Sequence, residues 1–364
     1  MNKQAYKKAP AMIIAAAVFI FSVYCTICRL PKALSDNDTL CMTAGLAMPA
    51  SGSSIYSGEN ESKSNNQNKA KNNNNENGVQ TVTKPQSGHE KTDKSEQSDI
   101  SQYGGDAFPV IENQYGTPGE ITIKNTTDYN IDVDSELSAP LGFEVENTNK
   151  PQALIVHTHA TESYLQEDNG VYYSDYPGHS ANDNENLTSA GTALADSLTK
   201  NGITALHSVT HHDEPSYNGS YDRSAATIYD YLEKYPSIKV IIDFHRDALG
   251  YGGEDGKIKP TFKVNGKKAA QIMIMSGYDP NNDYDFGHWE ENLSFALKIQ
   301  QKAEQLYPGM TRPLYFGDFA YNMNINSGSL LIEVGTDVNT LDEAKLTGEL
   351  LGNVLAEVLK DSMQ

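Results

Sequence analysis

Three apolar runs in this chain each end on residues able to bind a metal ion or move a proton. Ala153, Leu154, Ile155 and Val156 lead into His157-Thr158-His159-Ala160-Thr161-Glu162, residues 239–244 lead into His245, and residues 329–332 lead into Glu333. His159, Glu162 and His245 are three neutral or anionic zinc ligands, and Glu333 is a separate carboxylate base. That set is the minimum for a zinc amidase or peptidase. Zinc so held lowers the pKa of its water to roughly 7, and a carboxylate can take that proton and return it to the leaving amine. Singly, a histidine at a strand end is more often a hydrogen-bonded structural residue than a ligand. Glu333 is harder to explain away, because a buried, unpaired carboxylate is costly and needs a metal-bound water, an Arg or a helix cap as partner.

Positioning these groups takes buried strands that deliver them to one edge. Continuous β-branched runs such as residues 239–244 suit strands covered on both faces of a parallel sheet, and the carboxyl ends of such strands carry the sites of open α/β sheets. The pattern predicts a strand over 153–157, a helix over 187–200 stopped by Asn201 and Gly202, a strand over 203–207, and a helix over 222–234 broken by Pro236. This is βαβ alternation. Residues 261–264, the Asn265-Gly266 turn and residues 271–275 predict a hairpin strand feeding back into the sheet. A helix over 289–307, short strands over 313–316 and 329–332, and a last helix over 341–359 follow. The expected fold is α/β, three-layered, with a mostly parallel central sheet and helices on both faces.

Four segments, in order, resemble the stage II sporulation protein P family of bacterial cell-wall hydrolases. They are His-Thr-His-Ala-Thr-Glu-Ser-Tyr (157–164), Pro-Ser-Tyr-Asn-Gly-Ser-Tyr-Asp-Arg-Ser (215–224), Asp-Phe-His-Arg-Asp-Ala (243–248) and Ile-Glu-Val-Gly-Thr-Asp-Val-Asn-Thr-Leu-Asp-Glu-Ala (332–344). The last also resembles the general-base motif of N-acetylmuramoyl-L-alanine amidases, and the match runs from about residue 121 to the C-terminus. The resemblance implies a zinc amidase/carboxypeptidase-like (phosphorylase/hydrolase) fold with one catalytic Zn2+. It implies peptidoglycan hydrolysis during engulfment of the forespore, as an amidase on the lactyl to L-alanine bond and an endopeptidase on cross-linked stem peptides. It also implies sporulation stage II proteins D and M as partners. The residues themselves specify only zinc, water and an amide-like substrate. A different zinc exopeptidase or glutamyl hydrolase shares the same set, and a free-carboxylate pocket with an Arg beyond the metal would favour it. A non-catalytic wall-binding scaffold is the other competing function.

Within the resemblance the ligand set keeps alternatives. In an extended segment His157 and His159 point to the same side, and the spacing from His159 to Glu162 matches the His-x-x-Glu pair of zinc carboxypeptidases. His159 is therefore preferred, with His157 an alternative ligand or a residue orienting a carboxylate. Related amidases take a ligand Glu from just before the first long helix, which points to Glu185 as the alternative to Glu162. Arg246 suits a substrate carboxylate or a developing oxyanion, or else an ion pair with Asp243 or Asp247. Tyr221, Arg223 and Asp247 are candidates for substrate binding, although a core Tyr and a helix-start Arg explain the first two nearly as well. His179, His211, His212 and His288 are read as loop residues without companion ligands.

Upstream, Lys3, Lys7 and Lys8 precede an uncharged stretch at 10–28, and about 19 apolar residues suffice to span a bilayer. The charge asymmetry places the N-terminus in the cytoplasm and the rest outside, with an uncleaved anchor preferred over a signal peptide. Residues 1–32 are thus read as cytoplasmic tip and membrane anchor, 33–117 as a tether, and 118–364 as the catalytic domain at the cell membrane, by resemblance at the sporulation septum. The tether is Asn- and Ser-rich over 51–105 and too poor in large apolar side chains to offset ordering entropy. A formal charge of -20 excludes nucleic acid as a partner, since phosphate binding needs clustered Lys and Arg. Cys25, Cys28 and Cys41 all precede the catalytic region, so no disulfide holds it together.

Overall fold

The computed structural model describes residues 103–362. The expected anchor at 1–32 and the tether as far as residue 102 lie outside the described residues. Among the described residues no helix is long and apolar enough to cross a membrane.

In chain order the elements are β1 (Ala107–Asn113), β2 (Ile123–Asn125), α1 (Val133–Ser138), β3 (Ala153–Val156), β4 (Val171–Tyr173), α2 (Leu187–Lys200), β5 (Ala205–His207), α3 (Ser220–Lys234), β6 (Val240–Asp247), β7 (Lys257–Val264), β8 (Lys267–Ala270), β9 (Ile272–Gly277), α4 (Trp289–Leu306), β10 (Leu314–Gly317), β11 (Ser329–Thr336) and α5 (Leu341–Lys360). Local chemistry accounts for the helix ends. The Asn186 side chain caps α2, and Thr340 and Glu343 form a reciprocal capping box on α5. Gly202, at φ +94°, stops α2 in the left-handed conformation that glycine tolerates.

Seven strands form the central sheet in the order β2-β10-β9-β11-β6-β3-β5. β11, β6, β3 and β5 run parallel, as do β2, β10 and β9, and the two blocks meet at one antiparallel junction between β9 and β11. Ile155, Ile242, Phe244, Ile274 and Ile332 belong to the core shared with α2, α4 and α5. On the opposite face, Leu154, Val156 and Ile241 pack with Ile228 of α3, while Met275 and Leu331 pack under Phe286, Phe319 and Met323. The chain is therefore a three-layer α/β fold with a mostly parallel sheet and helices on both faces, as its sequence pattern predicts.

Two expectations need correction. The tether was expected to reach residue 117, but β1 pairs antiparallel with β4 and parallel with β7 in a second sheet of order β4-β1-β7-β8. Its strand is mostly exposed and carries Pro109, so composition alone reads it as linker. The 261–275 hairpin was expected to feed the central sheet. β7 and β8 do pair around Asn265 and Gly266, both at positive φ as a tight hairpin turn requires, yet that pair lies in the second sheet and only β9 enters the central one. Gln271 is the crossing residue. Its buried amide accepts from Tyr115 N at 2.8 Å and donates to the Tyr115 and Gly309 carbonyls at 3.0 and 2.8 Å, which pins the switch between sheets.

α2 and α5 approach each other closely where glycine replaces a side chain. A Cβ on Gly348 would lie 2.5 Å from the Ala190 carbonyl oxygen, and that backbone cannot rotate away. Gly348→Ala is expected to part the two helices and cost ~1–3 kcal/mol of stability, the range for overpacking a filled interior. Chemical denaturation of the 103–364 region checks it, and an unchanged midpoint would show that the helices have slack.

Candidate metal and catalytic site

The pairing of β6 with β11 sets the site. It places Glu333 opposite His245, and the next pairing inward places Val156 of β3 opposite Asp243. Because side chains alternate along a strand, Asp243 and His245 share the face covered by α3. After Val156 the chain leaves the sheet at once and folds into a turn in which Glu162 N donates to the His159 carbonyl at 3.1 Å. That turn brings Glu162 Oε2 to 3.9 Å from His245 Nδ1 and the rings of His159 and His245 to 5.3 Å, edge to face.

The turn also separates the two loop histidines, contrary to the expectation of a shared side. His157 continues the alternation of β3 and packs on the α2 face, against Gly191. Its Nδ1 lies 2.9 Å from the Phe244 carbonyl, which only accepts, so Nδ1 carries the proton and His207 Nε2 donates to His157 Nε2 at 2.8 Å. Both His157 nitrogens are engaged. Both nitrogens of His159, by contrast, are buried without a hydrogen-bond partner, as is Glu333 Oε2. Such orphaned buried atoms call for a ligand. Glu185 is exposed, with its carboxylate accepting from Ser180 and Asn182, away from this group.

The donor set of two imidazoles and one carboxylate fits a zinc ion. Among the described residues no three His, Cys, Asp or Glu side chains stand close enough together, as placed, to hold a metal ion; His245 Nδ1 and Glu162 Oε2 are 3.9 Å apart, a gap that an ion bonded at about 2.0–2.1 Å to each would span, with His159 having to move in as the third donor. Asp243 supplies the outer support that ligand histidines need. Its Oδ1 lies 2.9 Å from His245 Nε2, although not aligned as a hydrogen bond, and accepts from Thr158 N at 2.9 Å, while its Oδ2 accepts from Thr158 Oγ1 at 2.6 Å. Against the cost of burial, the His245 charge and the Thr158 donors hold the Asp243 carboxyl at about 2. Burial alone would lower the pKa of His245, but Asp243 overrides it and raises it to about 9. Burial lowers His159 to about 3, with His245 adding to the effect, and lowers His157 to about 3. Burial and the Asp247 carboxylate push Glu333 up to about 8, against the pull of His245.

The remaining candidates occupy supporting places. The Arg246 guanidinium donates to the carbonyls of Gly178 at 2.8 Å and Ser163 at 3.3 Å and stands 3.9 Å from Glu162 Oε1. It fixes the ligand loop rather than pairing with Asp243 or Asp247. Arg223 donates to the carbonyls of His212, Ser216 and Asn218, which commits it to holding the 212–218 loop and not to substrate. That loop stacks Tyr217 on His159 at 4.2 Å, and its Asp213 accepts from Thr161 N and Oγ1 in the ligand turn. Tyr221 stands edge-on to His159 at 5.7 Å and against Tyr321 at 5.3 Å, so it does line the site. Asp247 is paired with Arg312 at 2.8 Å. His179 is exposed at the rim, with Nδ1 3.1 Å from Thr161 Oγ1. Sequence reading missed the roles of Asp243, Asp213 and Tyr217. For Asp243 a signal existed, since it precedes His245 by two on a strand and must share its face.

These placements predict distinct phenotypes. His159→Ala is expected to lose zinc stoichiometry by elemental analysis while keeping its fold, and His157→Ala to keep the metal while unfolding at lower temperature. The reverse pattern would exchange their assignments. In the metal-free protein, the raised pKa of His245 gives stability that is full below its unfolded value of 6.5 and is lost as pH rises towards 9. Glu333 adds a loss in the same direction between 4.5 and about 8, while His157 and His159 stay neutral throughout. Stability of the metal-free protein should therefore fall by ~1–3 kcal/mol from pH 6.5 to 9, and zinc binding at pH 7.5 should release a proton, both measurable by calorimetry. A flat profile without proton release would contradict the His245–Asp243 pairing.

The family model for stage II sporulation protein P matches residues 38–356. The stage II sporulation protein P of Bacillus subtilis (strain 168) is 28% identical over 225 residues, covering 59% of this chain and 52% of that protein, so the alignment spans about half of the relative's length. Among solved structures, the apo N-acetylmuramyl-L-alanine amidase of Mycobacterium abscessus aligns at 13% identity and a TM-score of 0.35, over 58% of this chain and 99% of that one. An N-acetylmuramoyl-L-alanine amidase of Clostridium difficile 630 aligns at 15% and 0.33, over 59% and 97%. Likenesses at these scores carry no weight for the chemistry. The family match spans most of the chain and includes residues 157–164, the His245 strand and the Glu333 strand: the chain belongs to the stage II sporulation protein P family.

Proposed function

We propose that the chain is a zinc-dependent peptidoglycan hydrolase. It cleaves the amide between the lactyl group of muramic acid and L-alanine, as an N-acetylmuramoyl-L-alanine amidase, and also cross-linked stem peptides, as an endopeptidase. The observation that supports this reading most is the convergence of His159, Glu162 and His245 beside Glu333, with both His159 nitrogens and Glu333 Oε2 buried and unpartnered. His159, Glu162 and His245 hold the ion, which supplies Lewis acidity to a carbonyl and to water.

The protein's own residues do the rest. Glu333 takes a proton from the attacking water and passes it to the leaving nitrogen. Without metal, burial and the Asp247 carboxylate push Glu333 up to about 8, and the positive charge of a bound ion would favour the carboxylate that the shuttle needs. Asp243 keeps the His245 ring in place, Arg246 keeps Glu162 in place, and Tyr217, Tyr221 and Tyr321 form an aromatic wall for the chain of the substrate. Family membership supports action in engulfment at the sporulation septum alongside stage II proteins D and M, and the uncharged stretch at 10–28 after Lys3, Lys7 and Lys8 supports a membrane anchor at 1–32.

The region 103–364, incubated with isolated peptidoglycan, should release free stem peptides identifiable by mass spectrometry. Glu333→Ala, with its zinc content verified, should lose that release by about 100-fold or more, the usual contribution of a positioned acid–base group. Equal release by both proteins would remove Glu333 from the mechanism, and no release by the wild type would leave a scaffold as the better reading.

A further inference from the structure

Across the end of β11 that carries Glu333 lies a buried cation with an unused donor. Arg312 precedes β10, and its backbone N donates to the Ile272 carbonyl at the start of β9, at 2.7 Å. Its side chain reaches Asp247 on β6, where Nη2 donates to Oδ2 at 2.8 Å. Since β9 and β11 lie between β10 and β6, the guanidinium must cross the end of β11 that carries Glu333. Arg312 is 7% exposed, yet its Nη1 has no hydrogen-bond partner. A guanidinium has five donors in a planar fork that matches a carboxylate, and a buried donor left unpaired is costly.

A second cation stands nearby. Lys124 on β2 pairs in register with Tyr315 of β10, which itself pairs with Met275 of β9, so all three share one face of the sheet. Met275 and Leu331 lie in one cluster, and Glu333 follows Leu331 by two on β11, which makes that face the one bearing the site. The Lys124 ammonium lies 4.6 Å over the Tyr315 ring, and Lys124 is within electrostatic reach of both Arg312 and Asp247. Asp247 and Glu333 are the carboxylates within reach of Arg312. From the metal ligands the sequence across the sheet is therefore ligand, base, then this pair of cations.

We propose that Arg312, through Nη1, binds a free carboxylate of the acidic peptide substrate, with Lys124 as the second cation, so that the site selects peptides bearing a carboxylate near the scissile amide. The inference rests on the hydrolase reading given above. The negative oxygen that develops on the amide belongs beside the metal ligands, so a donor beyond the base is left for a separate anion. A carboxylate-binding Arg is also the feature expected of an exopeptidase-like specificity, and here it is Arg312, just before β10, rather than Arg246 that supplies it.

The test uses synthetic muramyl peptides in which each carboxylate is either free or amidated in turn, with binding to zinc-loaded Glu333→Ala measured by calorimetry so that no turnover intervenes. One free carboxylate should tighten binding by about 10-fold or more, as expected for a charge-assisted hydrogen bond. Arg312→Gln in the same background should bring the free and amidated peptides within about twofold, the residue of a difference that has lost its bond. Arg312→Lys should retain part of the discrimination, and Lys124→Gln, at a half-buried position that does not risk the fold, should reduce it. Equal binding of all amidated and free peptides by the parent protein would overturn the proposal without any Arg312 variant, as would discrimination that persists in Arg312→Gln. Wild-type protein that discriminates in binding but hydrolyses neither peptide would keep the carboxylate site and reject the hydrolase reading.

Discussion

The parallel pairing of β6 with β11 is the constraint on which the site depends. It sets Glu333 level with His245 on two neighbouring strands that are buried almost throughout. A slip of one residue in β11 would turn Glu333 to the face opposite His245 and bring an apolar side chain into its place. The core formed by Ile242, Phe244 and Ile332 against α2, α4 and α5 therefore does more than stabilise, because it fixes the register that fixes the chemistry. The close glycine contact between α2 and α5 belongs to the same constraint, since those helices cover that core.

Around this pair the electrostatics are arranged in opposite senses. Asp243 holds His245 charged in the absence of metal, while burial holds His157, His159 and His207 neutral. Neutral imidazole is the form that binds a metal, so under the proposed zinc site His159 would need no proton loss and His245 would exchange its proton for the ion. Glu333, buried and with Asp247 and Glu162 nearby, keeps its proton more readily than an exposed carboxyl. Cationic Arg246 on one side and Arg312 on the other keep so many carboxylates together in one place.

Much of this was legible in the sequence because buried parallel strands have a strong signature. The runs at 153–156, 240–244 and 329–332 are almost uninterrupted in apolar character, and the helix at 187–200 announces its C-terminal end with Asn201 and Gly202. What was not legible depended on backbone turns and on contacts distant in sequence. The turn after Val156 sends His157 to the α2 face and His159 to the α3 face, which no reading of an extended segment can anticipate. β1 draws its pairing from β4 and β7, which composition does not encode. Arg312 lies 65 residues from the Asp247 that it pairs with, and nothing near it in the sequence marks it as belonging to the site.

The central claim is that His159, Glu162 and His245 share one zinc ion beside Glu333. Diffraction from crystals of the zinc-loaded 103–364 region, collected at the zinc absorption edge, tests it most directly. The account predicts a single strong anomalous peak within bonding distance of His159, Glu162 and His245, with Asp243 against His245 and the His157–His207 pair intact. A peak at His157 or Glu185, or an ordered protein with no peak under saturating zinc, would contradict it.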